Sequence, residues 1–189
     1  MKKVIIVHGM PSKESYEASG RIAGAKHWMP WLVSELAKAG IEAHHPEMPE
    51  PYAPDYEKWS QVFELFNIDE NTMLVGHSAG GGFLVRWLSE HKDKKVGKVV
   101  LVAPWIDPTH AWAPAMFNEL VIDENLAERT AGVTEFISLD DEQDELDTLA
   151  ILKEKIKRLE VIEFKDKGHF ISAHMGTDEF PELRDYLLS

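Results

Sequence analysis

A serine set between glycines is the first group in this chain whose type and spacing point to chemistry. Gly76-His77-Ser78-Ala79-Gly80 follows an apolar run and precedes a helix-period stretch, Phe83, Leu84, Trp87 and Leu88. In this G-x-S-x-G spacing a tight strand-to-helix turn holds Oγ out into a crevice, and small residues on either side let strand and helix approach. The helix that follows directs its N-terminal N–H groups and partial positive charge at a developing oxyanion. Chance alone produces the pentapeptide in roughly one chain in twenty of this length at average composition, so its partners must decide. No Lys-Ser or Lys-Thr follows, which excludes a P-loop, and the G-x-G-x-x-G dinucleotide spacing is missing.

A nucleophilic serine needs an oxyanion site, a base and an acid. One oxyanion donor is the N–H of Ala79, next after the serine. The second belongs to the loop after the first strand, where His8-Gly9-Met10-Pro11 offers Met10 or Gly9, since Pro11 has no N–H. His8 reads as a brace for this loop rather than a proton carrier. The base is expected beyond the last strand, where Gly168-His169-Phe170 makes a sharp turn; His174 is the runner-up. For the acid, the run after the fifth strand offers Asp140, Asp141, Asp144 and Asp147. A buried acid that orients an imidazole must sit close to the strand end, which leaves Asp140 and Asp141. Asp144 and Asp147 read as a solvated loop and helix cap, and Asp107 is a third choice.

These groups need a scaffold that brings strand ends together. Apolar stretches of strand length recur at Val4–Val7, Glu42–His45 (weak), Met73–Gly76, Lys98–Ala103, Val133–Leu139 and Leu159–Phe164. Helix-period stretches lie between them: Trp28 to Ala37, Tyr56 to Phe66, Phe83 to Leu88, Leu149 to Ile156 and a last one near Glu179–Leu188. This alternation predicts an α/β fold, a three-layer sandwich with a mostly parallel sheet of about six strands. Right-handed crossovers with one reversal predict the order 2-1-3-4-5-6, with the ligand crevice at the carboxyl ends of strands 1 and 3. Those ends carry His8-Gly9-Met10 and the serine turn.

The connection 104–132 breaks the alternation. Long connections in compact domains are usually functional, and this one is too apolar for disorder. It is expected to cap the site, with Trp105, Trp112, Met116 and Phe117 as pocket residues, although aromatic residues so spaced also serve as core filling. No repeat, low-complexity tract or boundary interrupts residues 1–189, which read as a single domain.

Composition narrows the partners. The net charge of −13 argues against nucleic acid and anionic membrane surfaces. The lysines at 92, 94, 95 and 98 read as a solvated helix end. With no cysteine there is no disulfide, no thiol nucleophile and no thiolate metal site, which fits a reducing cytoplasm. Nothing approaches 18 consecutive apolar residues, and the run after Lys2 and Lys3 is too short for a signal peptide.

Taken together, VIIVHG, HWMPWL, LVGHSAGG, VVLVAPW, ISLDD and KGHF resemble the small YdeN-like, retinoblastoma-binding-protein-9-like serine hydrolases of the α/β-hydrolase superfamily. The resemblance covers nearly the whole chain. It implies a compact α/β-hydrolase fold, Ser78 as nucleophile, His169 as base and, through the second aspartate of S-x-D-D, Asp141 as acid, with Asp140 as the alternative. Three departures stand out. Glu142 replaces the usual proline after the double aspartate. The stretch from Gly9 to His27 is longer than the family's loop. The Leu-x-Cys-x-Glu motif behind the mammalian member's name cannot occur in a chain without cysteine.

The expected activity is cleavage of a carboxylic ester or similar acyl bond of a small molecule through an acyl-enzyme, with Met10 and Ala79 at the oxyanion and neither metal nor cofactor. No protein partner is indicated. Two rivals remain: an α/β-hydrolase-fold module that binds a ligand or protein without turnover, and metal-assisted hydrolysis through His44, His45 and Glu47 or through His169 and His174. Neither histidine set has convincing ligand spacing.

Overall fold

The computed structural model describes residues 2–24, 27–112 and 114–189. Ala25 and Lys26 of the long loop after the first strand, Ala113 of the 104–132 connection, and Met1 lie outside them. Among the described residues six strands are formed: β1 (Lys3–Val7), β2 (Glu42–His44), β3 (Thr72–His77), β4 (Val99–Val102), β5 (Val133–Ser138) and β6 (Leu159–Phe164). They make one sheet in the order β2-β1-β3-β4-β5-β6, and every pairing is parallel. The helices are α1 (Lys13–Ala18), α2 (Trp28–Lys38), α3 (Tyr56–Phe63), α4 (Ala79–Glu90), α5 (Gln143–Lys155), α6 (Ser172–Met175) and α7 (Pro181–Leu188).

The inner strands are covered on both faces, which is why they read as unbroken apolar runs. Alternate residues of β1 feed opposite cores: Ile5 and Val7 join Trp59, Phe63, Phe83 and Trp87 beneath α3 and α4. Val4 and Ile6 join Trp28, Leu32 and Leu36 of α2 and Phe180 and Leu183 near α7. The edge strands differ. β2 has three residues, none of them buried, and β6 points Glu160 and Glu163 outward, which blunts both edges against further pairing.

Local chemistry sets the ends of the elements. Gly40, with φ of 76°, closes the turn after α2. Asp55 caps α3 by accepting from the Lys58 N–H at 3.0 Å. The extra length after β1 forms α1, a short helix that buries no side chain. It has no apolar stripe to announce it, only the Ser12 cap that accepts from the Ser15 N–H at 3.1 Å. α5 starts at Gln143, six residues before its predicted start at Leu149, because Glu145 and Thr148 occupy buried-face positions that apolar periodicity does not register.

The 104–132 connection contains two 3-10 turns, Ala115–Phe117 and Leu126–Arg129. Its apolar residues are anchored rather than draped: Trp105, Met116, Phe117, Leu126 and Ala127 all belong to the core beneath α4. Among the described residues no helix is long and apolar enough to cross a membrane.

Candidate active site

Ser78 stands between the end of β3 and the first residue of α4, with φ of 52° and ψ of −125°. A non-glycine residue there costs about 1–3 kcal/mol and persists only where its surroundings over-determine it. The surroundings do so. The Ser78 N–H donates to the Val102 carbonyl at 3.0 Å, and the Ser78 carbonyl accepts from Trp105 at 3.0 Å and Gly81 at 2.9 Å. A Cβ at Gly80 would fall 2.4 Å from the carbonyl oxygens of both Val7 and His8. The glycine therefore lets α4 begin directly against the end of β1.

That contact brings the loop after β1 to the serine: a Cβ at Gly9 would lie 2.8 Å from Ser78 Cβ. Met10 follows on the cavity wall. His8 holds the loop in place. Its Nδ1–H donates to the Gly9 carbonyl at 2.8 Å and its Nε2 accepts from the Met48 N–H at 2.9 Å, which fixes one neutral tautomer. Burial is the main reason its pKa falls to about 4, so the brace carries no charge. Ala79, as the first helical residue, has an N–H with no intrahelical acceptor.

His169 sits on a strained turn between Gly168, with φ of 48°, and Phe170, with φ of 52°. The main chain around it is tied from every side. Lys167 N–H donates to Ser138 Oγ at 3.0 Å and Gly168 N–H to Asp140 Oδ1 at 3.0 Å. The His169 N–H donates to His174 Nδ1 at 2.9 Å, and its carbonyl accepts from His77 Nε2 at 2.8 Å. The Phe170 carbonyl accepts from Trp28 Nε1 at 3.0 Å. Buried Phe170 packs its ring against Phe164 and Phe180.

The imidazole meets Asp141. His169 Nδ1 is 3.2 Å from each carboxylate oxygen of Asp141, whose side chain is 1% exposed. Asp141 Oδ1 also accepts from the Glu142 N–H at 2.8 Å. A proline at 142 would have no such donor, so this departure from the family pattern supports the carboxylate. Asp140 turns the other way and clamps the loop through Ser138 and Gly168. Asp144 accepts from Trp105 Nε1 at 3.4 Å and Asp147 from Gln143 at 2.8 Å.

A third carboxyl, absent from the sequence reading, completes the cluster. Glu145 Oε1 lies 3.6 Å from His169 Nδ1. Its position at i, with Thr148 and Leu152 at i+3 and i+7 on the same buried face of α5, was the available signal. Burial, foremost, lifts its pKa to about 7. Burial also works against charge on His169, but the hydrogen bond and charge of Asp141, with Glu145 and Glu142, outweigh it and raise the imidazole pKa. Ligand-capable atoms of Asp141, Glu145 and His169 lie within 4.8 Å of one another. Nδ1 is the ring nitrogen that faces these carboxyls. The alternative metal set is dispersed: His44 pairs with Glu42 at 2.6 Å, and Glu47 accepts from the Ala23 N–H at 2.8 Å.

Ser78, His169, Met10 and His77 line one cavity of about 210 Å³. Met10, Pro11 and Ser12 also belong to an outer cleft of about 830 Å³, walled by Lys13, Tyr52, Pro54 and Trp112. Of the four expected pocket residues only Trp112 faces this cleft. Trp105 and Met116 are buried in the core, and Phe117 and Asp107 line a separate cavity of about 570 Å³ on the far side of the connection. The reason is the tight start of α4, which draws Trp105 and Phe117 down onto Gly82.

Comparisons with known proteins bear on the family and the fold. A family model described as serine hydrolase matches residues 4–189. YdeN of Bacillus subtilis (strain 168) is 28% identical over 200 residues, covering 100% of this chain and 95% of its own length. The crystal structure of the B. subtilis ydeN gene product superposes with a TM-score of 0.81 at 27% identity, covering 100% of this chain and 97% of that one. Est1E from Butyrivibrio proteoclasticus, solved with ferulic acid bound, shares the fold with a TM-score of 0.69 at 13% identity, covering 100% of this chain and 88% of that one.

Proposed function

The chain belongs to the YdeN-like serine hydrolase family, and from that premise we propose that it cleaves carboxylic esters of small molecules through an acyl-enzyme on Ser78. The observation that carries the reading is the Asp141–His169 pair opening on the cavity that holds the strained Ser78. His169 Nε2 takes the Ser78 proton as Oγ attacks the acyl carbon, and Asp141 holds Nδ1–H and stabilises the imidazolium. The N–H groups of Ala79 and Met10 face the tetrahedral oxyanion. The imidazolium then gives its proton to the departing alcohol, and water repeats the sequence to release the acid and restore Ser78.

The outer cleft supplies the specificity. An apolar substituent of the ester lies against Met10, Tyr52 and Trp112, and the part of the connection that covers the cleft is Trp112 with Pro114 and Ala115. A fluorophosphonate probe with p-nitrophenyl esters of graded acyl length tests the proposal. Wild type is labelled and turns over the esters, while Ser78→Ala does neither. Equal labelling of both proteins removes Ser78 from the mechanism.

A further inference from the structure

The serine mechanism uses Asp141 as the partner of His169 and leaves Glu145 without a task. Yet Glu145 is a buried carboxyl, 9% exposed at its side chain, with Oε1 3.6 Å from His169 Nδ1. Its Oε2 is buried with no hydrogen-bond partner among the described residues. A carboxyl held in this way costs stability unless something else favours it. The bond from Nδ1 to Asp141 is also unusual in shape: it divides evenly between two oxygens at 3.2 Å instead of forming one short, directed contact. Nδ1 therefore faces three carboxyl oxygens, two from the turn after β5 and one from the first turn of α5.

We propose that Glu145 is a positioning residue for His169, a second acidic partner of Nδ1 that shares with Asp141 the imidazolium formed during turnover. The proposal rests on the reading of His169 as the general base. Asp141 sets the direction of Nδ1–H, and Glu145 closes the flank that an evenly divided bond leaves open. When Glu145 is ionised, its charge adds to that of Asp141 on the protonated ring. The other groups facing Glu145 are Asp141 and Glu142 from the turn before α5. Those facing His169 are His27 before α2 and His77 at the end of β3; both are held toward neutrality, by burial first and by His169 second. The carboxyls are thus the groups that tune the imidazole upward.

The test is Glu145→Gln, which keeps volume and removes the charge. With less stabilisation of the imidazolium, the acid limb of the pH–rate profile moves to lower pH by about half a unit or more. The plateau kcat falls about three- to tenfold at nearly constant KM. Glu145→Asp, which keeps the charge, lies between Gln and wild type. A purely structural role lowers thermal stability and leaves the limb where it was. The second measurement needs no substrate and no variant: a ¹⁵N titration of the His169 ring in the wild-type protein. Coupling to Glu145 gives a two-step curve. A one-step curve, or a Glu145→Gln limb superimposed on wild type, overturns the proposal. A two-step curve in a protein that hydrolyses no ester overturns the functional reading alone.

Discussion

His77 Nε2 donates to the main-chain carbonyl of His169 at 2.8 Å, so the residue next to Ser78 holds the residue that carries the imidazole. A carbonyl only accepts, which fixes the proton of His77 on Nε2. Burial, then the neighbouring His169 and His27, keep that ring neutral, with a pKa well below the ordinary imidazole value. The second position of the Gly-His-Ser-Ala-Gly turn is therefore a strut between the two halves of the site.

Replacing that strut separates positioning from binding. His77→Ala is expected to lower kcat about 10- to 100-fold with little change in KM, since small displacements of a base are costly. His77→Gln, which retains a donor of similar reach, recovers part of the loss. Steady-state kinetics on a p-nitrophenyl ester, with a melting curve for each variant, checks this.

The two aspartates after β5 are expected to fail differently. Asp141→Asn removes the charge facing Nδ1 and reverses the hydrogen-bond sense, costing about 10³-fold or more in kcat and shifting the acid limb to lower pH. Asp140→Asn weakens the clamp on Gly168 and costs about tenfold, with a lower melting temperature. A larger kinetic loss in the Asp140 variant would reverse the assignment.

Glu135, in the middle of β5, is fully buried with both carboxylate oxygens unpartnered among the described residues. Burial pushes its pKa up to about 8. A raised carboxyl pKa contributes stability below the ordinary value near 4.5, and that contribution is lost as pH rises toward 8. Glu135→Gln is therefore expected to be more stable than wild type at pH ~8 and to lose that advantage near pH ~5, with up to about 1.4 kcal/mol gained per unit across the window. Denaturant titrations at the two pH values measure it.

The acid side has the opposite sign. His8 and His45 both have pKa values lowered to about 4, mainly by burial. Each is fully stabilising above the ordinary value of 6.5, and that contribution is lost as pH falls toward 4. Melting temperature should drop steeply across that interval. His8→Asn, which retains a donor and an acceptor near the same places, should flatten the drop while lowering stability at pH ~7.

Much of the site was legible because its parts obey local rules. Ser78 was marked by the glycines that its turn requires, and His169 by the glycine that starts a strained turn after the last strand. Asp140 and Asp141 could not be separated by pattern, since adjacent residues at a strand end differ only in which way the chain turns them. The family resemblance favoured Asp141, and the geometry places it against the imidazole, with Asp140 on the loop. Helix α1 and residues Glu145 and His77 were missed as functional features. Their significance comes from neighbours distant in the chain, such as the 92 residues between His77 and the carbonyl it holds.

By itself the sequence determined the parallel α/β architecture, the strand order and the residues gathered at the carboxyl ends of the strands. Periodicity, glycine placement and the handedness of crossovers are properties of short segments and of their order. Only the tertiary structure decided which carboxyls surround His169, which tautomers the buried histidines adopt and which face of the 104–132 connection meets the cleft. Those outcomes depend on packing between elements. The close approach at Gly82 draws Trp105 and Phe117 into the core, leaving Trp112 on the outer cleft that shares Met10 with the Ser78 cavity.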